Sequence, residues 1–148
     1  MNIIRATKEH IPLVVTLFDA YRVFYQQSSE KKSAFTFLEK RLELNESILF
    51  LAIEKDTPIG FTQLYTSFSS VSMEAFYILN DLYVSPSHRG KGVGQALLNK
   101  AKEQCLLMGY KGVGLETGIE NPAQHLYERL GWQKDSKHFH YFWSAHKT

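Results

Sequence analysis

Three glycines at alternate positions constrain this chain more than any other feature. They lie between an apolar stretch that predicts a strand and one that predicts a helix, in the segment Arg89-Gly90-Lys91-Gly92-Val93-Gly94. Glycine adopts positive φ without steric cost and leaves backbone N–H groups uncovered, and the start of the next helix carries positive partial charge. With Arg89 and Lys91 adding formal charge, this segment predicts a binding loop for the oxygens of a di- or polyphosphate.

Three known kinds of phosphate-binding loop compete for this segment. The nucleotide P-loop requires Gly-x-x-x-x-Gly-Lys-Ser/Thr, but Gly90-Lys91 has Ser85 five residues earlier and Gly92 after it. The dinucleotide fingerprint Gly-x-Gly-x-x-Gly ends on Gln95 or on Leu97, so it fails too, although Glu116 lies near the place of a ribose-binding acid. The third pattern, Gln/Arg-x-x-Gly-x-Gly/Ala, is matched at every fixed position.

Hydrophobic spacing predicts a chain in the order β-α-α-β-β-β-α-β-α-β-β. The predicted helices are residues 10–25, a second helix capped by Ser33, 92–108 and 122–130. The predicted strands are residues 3–6, 48–54, 59–65, 75–84, 113–116, 132–134 and 139–144, with 66–72 as a loop or a frayed strand end. This order indicates an α/β fold with a mixed central sheet flanked by helices. We expect strands 48–54 and 59–65 to form a hairpin, and the strands joined by helix 92–108 to be parallel.

Composition narrows the class of protein. Residues 1–148 fit a single domain, and the net charge of +2 is too small to predict a nucleic-acid partner. No apolar run reaches the length of a membrane span and no signal peptide is evident, so we expect a cytoplasmic protein without a membrane partner. Cys105 lies on an apolar helix stripe and is expected in the core. His138 and His140 share one face of a predicted strand, but no third metal ligand is evident, so no metal is expected.

A second motif follows the strand predicted at 113–116. It is the run Asn121-Pro122-Ala123-Gln124-His125-Leu126-Tyr127-Glu128-Arg129-Leu130-Gly131-Trp132. It resembles the signature Asn-x-x-Ala-x-x-Leu-Tyr-Glu-x-x-Gly-Phe/Trp, with Ala123 one residue early. Together with the loop and the strand residues 79–84, it makes the chain resemble the GNAT family of N-acetyltransferases, and its diamine- and polyamine-type members most. The resemblance implies the GNAT fold, with a splay between the fourth and fifth strands.

The resemblance also implies a cofactor, acetyl-coenzyme A (acetyl-CoA), and residues that bind it. The backbone of Leu82 and Val84 would bind the pantetheine arm as an added strand. Asn121 would hydrogen-bond the cofactor near the pantetheine, and Tyr127 would lie beside the thioester sulfur. The full expected cofactor set is Leu82, Tyr83, Val84, Arg89, Gly90, Lys91, Gly92, Val93, Gly94, Gln95, Asn121 and Tyr127.

The implied reaction is direct attack of an amine on the thioester in a ternary complex. A backbone N–H of Leu82 or Tyr83 would polarise the thioester oxygen, and Tyr127 would be the general acid for the departing thiolate. Polyamine-type members carry a Glu-Asp pair where this chain has Asn80 and Asp81. The amine could therefore lose its proton to Asp81, to Glu116 or to ordered water, and Asp81 could instead bind a cationic substrate.

The acceptor is predicted less specifically. Tyr25 and its neighbour Tyr21 lie where the family places its substrate wall, although their spacing also suits core residues. The expected substrate-binding set is Tyr25, Asn80, Asp81 and Glu116, and the expected substrate is a small-molecule amine. A peptide or protein amine is the alternative, and a non-catalytic acyl-CoA-binding module is the other. We also expect a homodimer through the aromatic C-terminal strands.

Overall fold

The computed structural model describes residues 1–146 of the chain. Backbone contacts divide the chain into two units, Met1–Glu116 and Thr117–Thr148, called unit 1 and unit 2 below. None of the helices within residues 1–146 is both long and apolar enough to cross a bilayer.

A five-stranded sheet forms the centre of unit 1. The elements of this unit are β1 (Asn2–Arg5), α1 (Ile11–Phe24), α2 (Lys31–Glu43), β2 (Ser47–Glu54), β3 (Thr57–Ser69), β4 (Glu74–Val84), α3 (Val93–Met108) and β5 (Val113–Gly114). The strands are arranged in chain order, with the first three pairings antiparallel and the β4–β5 pairing parallel. The predicted mixed sheet, the β2–β3 hairpin and the parallel pair around α3 are confirmed.

Helices α1 and α3 lie on opposite faces of this sheet. On β3, Phe61 packs against Phe18 of α1, with ring centroids 6.1 Å apart. Its neighbour Gly60 lies instead beside Val93 and Leu97 of α3. Successive residues of a strand face opposite sides of the sheet, so each face has its own helix. The core on the α1 face includes Ile11, Val14 and Leu38.

Helix α3 begins and ends at glycines in the left-handed conformation. Gly92 has φ 84° and Gly109 has φ 68°, a region that glycine adopts without the cost borne by other residues. The apolar stripe between them is buried, and Cys105 is part of it as expected.

Two predicted boundaries on unit 1 are wrong. Helix α2 begins at Lys31, so Ser33 lies inside the helix rather than at its cap. Strand β3 continues to Ser69, so of the two alternatives for residues 66–72 the loop is wrong as far as residue 69, because the register with β4 runs on to the pair Ser69↔Glu74.

Unit 2 contains α4 (Ala123–Arg129). The strands predicted at 132–134 and 139–144 are absent from the described residues of this unit. The aromatic side chains of the second segment are 83–90% exposed in Phe139, Tyr141, Phe142 and Trp143. Aromatic and alternating composition favours a strand only where a neighbouring strand completes the ladder, and the described part of the chain provides none there.

Candidate active site

The glycine loop has the conformation that its sequence predicts. Gly90 and Gly92 have φ of 75° and 84°, and a Cβ added to either residue would meet no atom within 4 Å. Gly92 is the N-cap of α3, and no side chain caps this helix. Among the described residues, the first-turn N–H groups of α3 therefore have no side-chain cap, and no Cβ covers the two glycines before them, as suits an anion-binding loop.

Gly60 holds the start of α3 close to the sheet. A Cβ at Gly60 would lie 2.9 Å from the carbonyl oxygen of Tyr83, 3.1 Å from Cγ1 of Val93 and 3.3 Å from Cδ1 of Leu97. Only glycine allows this close approach, which sets the distance between the start of α3 and strands β3 and β4 and so positions the loop that precedes α3. Nothing in the one-dimensional pattern marks Gly60, because it lies within an apolar strand.

Arg89 anchors the loop to its neighbours in unit 1. Its Nε donates a hydrogen bond to the carbonyl oxygen of Val84 at 2.9 Å. Its guanidinium lies over two rings, 5.5 Å from the centroid of Tyr83 and 5.8 Å from that of Phe24. The side chain thus ties the loop to the end of β4 and the end of α1, while Lys91 is exposed.

Strand β4 separates from β5 before it reaches the loop. The last β4–β5 pair is Ile78↔Gly114, whereas β4 itself continues to Val84. Over residues 79–84 the β5 side of β4 therefore has no ladder partner within the described residues of unit 1. This stretch contains Leu82, Tyr83 and Val84, and an unpaired strand edge of this kind can accept an extended ligand as an added strand.

A β-bulge at Asn80 places the side chains of Asp81 and Tyr83 on the opposite face of the sheet from those of Tyr77 and Leu79. Gln63 pairs with Asp81 while the next residue, Leu64, pairs with Leu79, so Asn80 is the extra residue. Before the bulge, Gln104 of α3 donates to the hydroxyl of Tyr77 at 3.3 Å. After it, the ring of Tyr83 lies 6.3 Å from that of Tyr21 on α1.

The bulge thereby directs Asp81 into the α1 face, where it is 3% exposed. The amide nitrogen of Gln63 donates to its carboxylate, and the hydroxyl of Thr62 donates to its backbone oxygen at 2.8 Å. The Tyr21 hydroxyl also lies within hydrogen-bonding reach of the carboxylate. Burial raises the pKa of Asp81 to about 6, although the hydrogen bonds from Gln63 and Tyr21 oppose this rise.

Aromatic residues at the end of α1 border this carboxylate. Tyr21 is partly buried, with its ring 5.1 Å from that of Tyr25 and 5.9 Å from that of Phe61. Tyr25 is 50% exposed. Tyr21 therefore joins the core to the exposed part of the wall, and the alternative that both tyrosines are core residues is wrong for Tyr25.

Buried Asp19 holds the segment that follows this wall. Its carboxylate accepts hydrogen bonds from the hydroxyl of Ser29 at 2.6 Å and from the N–H of Glu30 at 2.8 Å. The Ser29 hydroxyl is the main cause that lowers the pKa of Asp19. Arg22 donates to the carbonyl oxygen of Ser28 at 3.1 Å, so the α1–α2 connection is tied to α1 at several points. The sequence pattern gives no signal for Asp19, which reads as an ordinary polar helix residue.

The remaining predicted residues are at the end of unit 1 and in unit 2. Glu116 is exposed at the end of unit 1, and Asn80 is exposed at the bulge. In unit 2, the Asn121 side chain accepts a hydrogen bond from the N–H of Ala123 at 2.9 Å and so starts α4. Tyr127 is partly buried, and its ring packs against Trp132 at 6.2 Å.

The described residues contain no group of three or more His, Cys, Asp or Glu side chains that could hold a metal ion. His138, from the suggested histidine pair, interacts with Asp135 at 2.7 Å.

Comparison with known proteins decides the family. Residues 14–132 match the Acetyltransferase (GNAT) family. The chain belongs to the GNAT family. An uncharacterized N-acetyltransferase of Bacillus subtilis, YhfO, is 45% identical over 95% of each chain. A protein of Haemophilus influenzae named "Probable acetyltransferase" is 32% identical over 70% of this chain and 71% of its own. A crystal structure of a probable acetyltransferase superposes with a TM-score of 0.94 at 38% identity, covering all of both chains.

This GNAT protein is therefore an acyltransferase, and the fold predicted from its sequence is the fold of the family. GNAT enzymes transfer an acetyl group from acetyl-CoA to an amine, as the resemblance implied. The catalytic reading is thereby favoured over the non-catalytic acyl-CoA-binding module.

Proposed function

We propose that this enzyme acetylates a primary amine of a small molecule, by direct attack of the amine on acetyl-CoA in a ternary complex. The observation that carries the proposal is Asp81: a buried carboxylate on β4 beside Tyr21 of α1, whose ring in turn contacts Tyr25. A carboxylate beside aromatic rings suits an alkylammonium group, through charge and through cation–π contact. The edge of this wall at Tyr25 is exposed, so a small cation can approach it.

We assign the cofactor end to the glycine loop and to residues 82–84 of β4. The positive φ of Gly90 and Gly92, the uncapped start of α3 and the unpaired edge of β4 all fit the pyrophosphate and pantetheine of acetyl-CoA. Asn121 as a cofactor ligand and Tyr127 as general acid are proposed on the second motif alone.

We propose Asp81 rather than Glu116 or Asn80 as the group that takes the proton of the amine. A primary amine has a pKa of about 10, so it is protonated at neutral pH and must lose a proton before it can attack. Burial brings the pKa of Asp81 to about 6, which makes this carboxylate a better base than an exposed one at the same pH. Asn80 has no basic group, and Glu116 is exposed.

We further propose that residues 1–148 act as one N-acetyltransferase domain in the cytoplasm, as a homodimer, with no nucleic-acid or membrane partner. The exposed aromatic residues 139–143 support the homodimer, because a monomer rarely exposes so many large apolar side chains together. The small net charge supports the absence of a nucleic-acid partner.

The test is steady-state release of free thiol from acetyl-CoA with a panel of diamines, polyamines, amino acids and short peptides. We expect small cationic amines to raise thiol release far above the hydrolysis background. Turnover of peptides alone would reject the small-molecule assignment and support the peptide alternative. With the amine that is turned over, Tyr127→Phe should lower kcat with little change in acetyl-CoA affinity. An unchanged kcat would show that Tyr127 is not the general acid.

A further inference from the structure

The hydroxyl of Tyr21 lies beside the bulge, close to two acceptors on β4. It donates a hydrogen bond to the carbonyl oxygen of Asn80 at 3.2 Å, and it lies within hydrogen-bonding reach of the Asp81 carboxylate. The bulge creates this arrangement, because it brings an extra carbonyl oxygen and the carboxylate to the same end of the ring. Neither the glycine loop nor the second motif includes Tyr21.

Asp81 is too buried to receive a proton from a substrate directly. At 3% exposure, its carboxylate is reached through the groups packed against it. These are Tyr21 from α1 and, from β3, Gln63 and Tyr65, with Arg41 of α2 acting on Tyr65. Gln63 is fully buried, and Tyr65 is partly buried like Tyr21. Of the two tyrosines, Tyr21 is the one that reaches the carboxylate by a hydrogen bond, and its ring adjoins half-exposed Tyr25. Tyr21 is thus the hydroxyl that lies between the exposed wall and the carboxylate.

We infer that the Tyr21 hydroxyl relays the proton of the acceptor amine to Asp81. The Tyr21 hydroxyl first turns from the Asn80 carbonyl oxygen to the Asp81 carboxylate. A proton then passes from the ammonium nitrogen to the oxygen of Tyr21 as the phenolic proton passes to a carboxylate oxygen of Asp81. The amine keeps its electron pair for the attack, Tyr21 ends as neutral as it began, and Asp81 becomes a carboxylic acid. The proton returns to solvent by the reverse route after the product leaves.

Two further observations support the relay. Burial raises the pKa of Tyr21, so its hydroxyl can pass a proton on but does not remain as a tyrosinate. The Oε1 atom of Gln63 is buried and has no hydrogen-bond partner among the described residues. Rotation of the Gln63 amide would let this oxygen accept the proton that Asp81 carries after transfer, which gives the unpaired atom a function.

The inference rests on the proposed function, and it is tested with Tyr21→Phe, which keeps the ring and removes the hydroxyl. We expect kcat for the best amine to fall about 100-fold, the usual contribution of a positioned proton-transfer group, with unchanged acetyl-CoA affinity. The rise of kcat near pH 6 that reports Asp81 should disappear. Tyr77→Phe, which removes a buried hydroxyl on the α3 face of the same strand, is the matched control and should keep kcat within about twofold.

Two measurements separate a relay from a structural role. In the double variant with Asp81→Asn, the losses should not multiply, because two members of one relay act as a unit. Carbon-13 NMR of the Asp81 carboxyl should show a higher pKa in Tyr21→Phe, since the hydrogen bond from Tyr21 lowers it in the parent enzyme.

The relay is overturned if Asp81 titrates at the same pH in both proteins, if the losses multiply, or if Tyr21→Phe keeps the kcat of the parent enzyme. Failure of the parent enzyme itself to turn over any amine overturns the proposed function, and the relay with it. A failure of the relay alone leaves turnover by the parent enzyme intact, so the two failures are distinct.

Discussion

Replacing Gly60 by alanine tests how the cofactor loop is positioned. The added Cβ would lie 2.9 Å from the backbone oxygen of Tyr83 and 3.1 Å from Val93. A backbone oxygen cannot rotate away as a side chain can, so the start of α3, the end of β4 or both must shift. Overpacking of this kind costs about 1–3 kcal/mol, and the lower entropy of the unfolded alanine chain returns about 0.4–1 kcal/mol. We expect a net loss of about 1–2 kcal/mol.

This loss predicts measurable changes in stability and in binding. The unfolding entropy of a chain of 148 residues is about 0.3 kcal/mol per kelvin near the midpoint, so Tm should fall by about 3–6 °C. The shift also misplaces the N–H groups at the start of α3, and acetyl-CoA affinity should fall about fivefold or more, as calorimetry would measure. Gly112→Ala is the control, because a Cβ there meets nothing within 4 Å. If Gly60→Ala matches this control in both Tm and affinity, the close approach does not position the loop.

Three more substitutions test separate parts of the site. Gly92→Ala places a Cβ on a residue with φ 84° and should cost about 1–2 kcal/mol, with weaker acetyl-CoA binding in a titration; full stability would show that the loop can relax. Because the folded pKa of Asp81, about 6, exceeds the unfolded value, ionisation destabilises the fold as pH rises from about 4 through 6. The free energy of unfolding of Asp81→Asn, relative to that of the parent protein, should therefore be up to about 3 kcal/mol higher at pH 7.5 than at pH 4. Urea unfolding measures this difference, and an equal effect at both pH values would contradict the buried carboxylate. Asp19→Ala removes the acceptor of Ser29 and Glu30 and should cost about 1–3 kcal/mol while raising the KM for the amine; a changed Tm with an unchanged KM would separate the α1–α2 connection from substrate binding.

Features that depend on local chemistry could be predicted from the sequence. The glycine loop needs positive φ at fixed positions, and the helix after it has a regular apolar stripe. Both features depend only on residues that are close together in the sequence. The β2–β3 hairpin and the parallel β4–β5 pair follow from the alternation of elements along the chain.

Features that depend on register could not be predicted in the same way. The alternation of residues along β4 predicts one common sheet face for Tyr77, Leu79, Asp81 and Tyr83. The sequence therefore gives no sign of the bulge at Asn80, which arises from pairing with β3. The close approach at Gly60 likewise depends on α3, which is distant in sequence. The strands predicted at 132–134 and 139–144 fail for the opposite reason: their local composition suits a strand, but a ladder needs a partner.

The bulge at Asn80 also matters for engineering, because it makes β4 two independently editable segments. Residues 77 and 79 precede the bulge and lie on the sheet face that α3 covers, whereas residues 81 and 83 follow it and lie on the face that α1 covers. Substitutions at positions 77 and 79 would therefore act on the packing under α3, whereas a substitution at position 81 would act on the proton-accepting carboxylate. One strand in this enzyme thus allows scaffold packing and proton transfer to be varied separately.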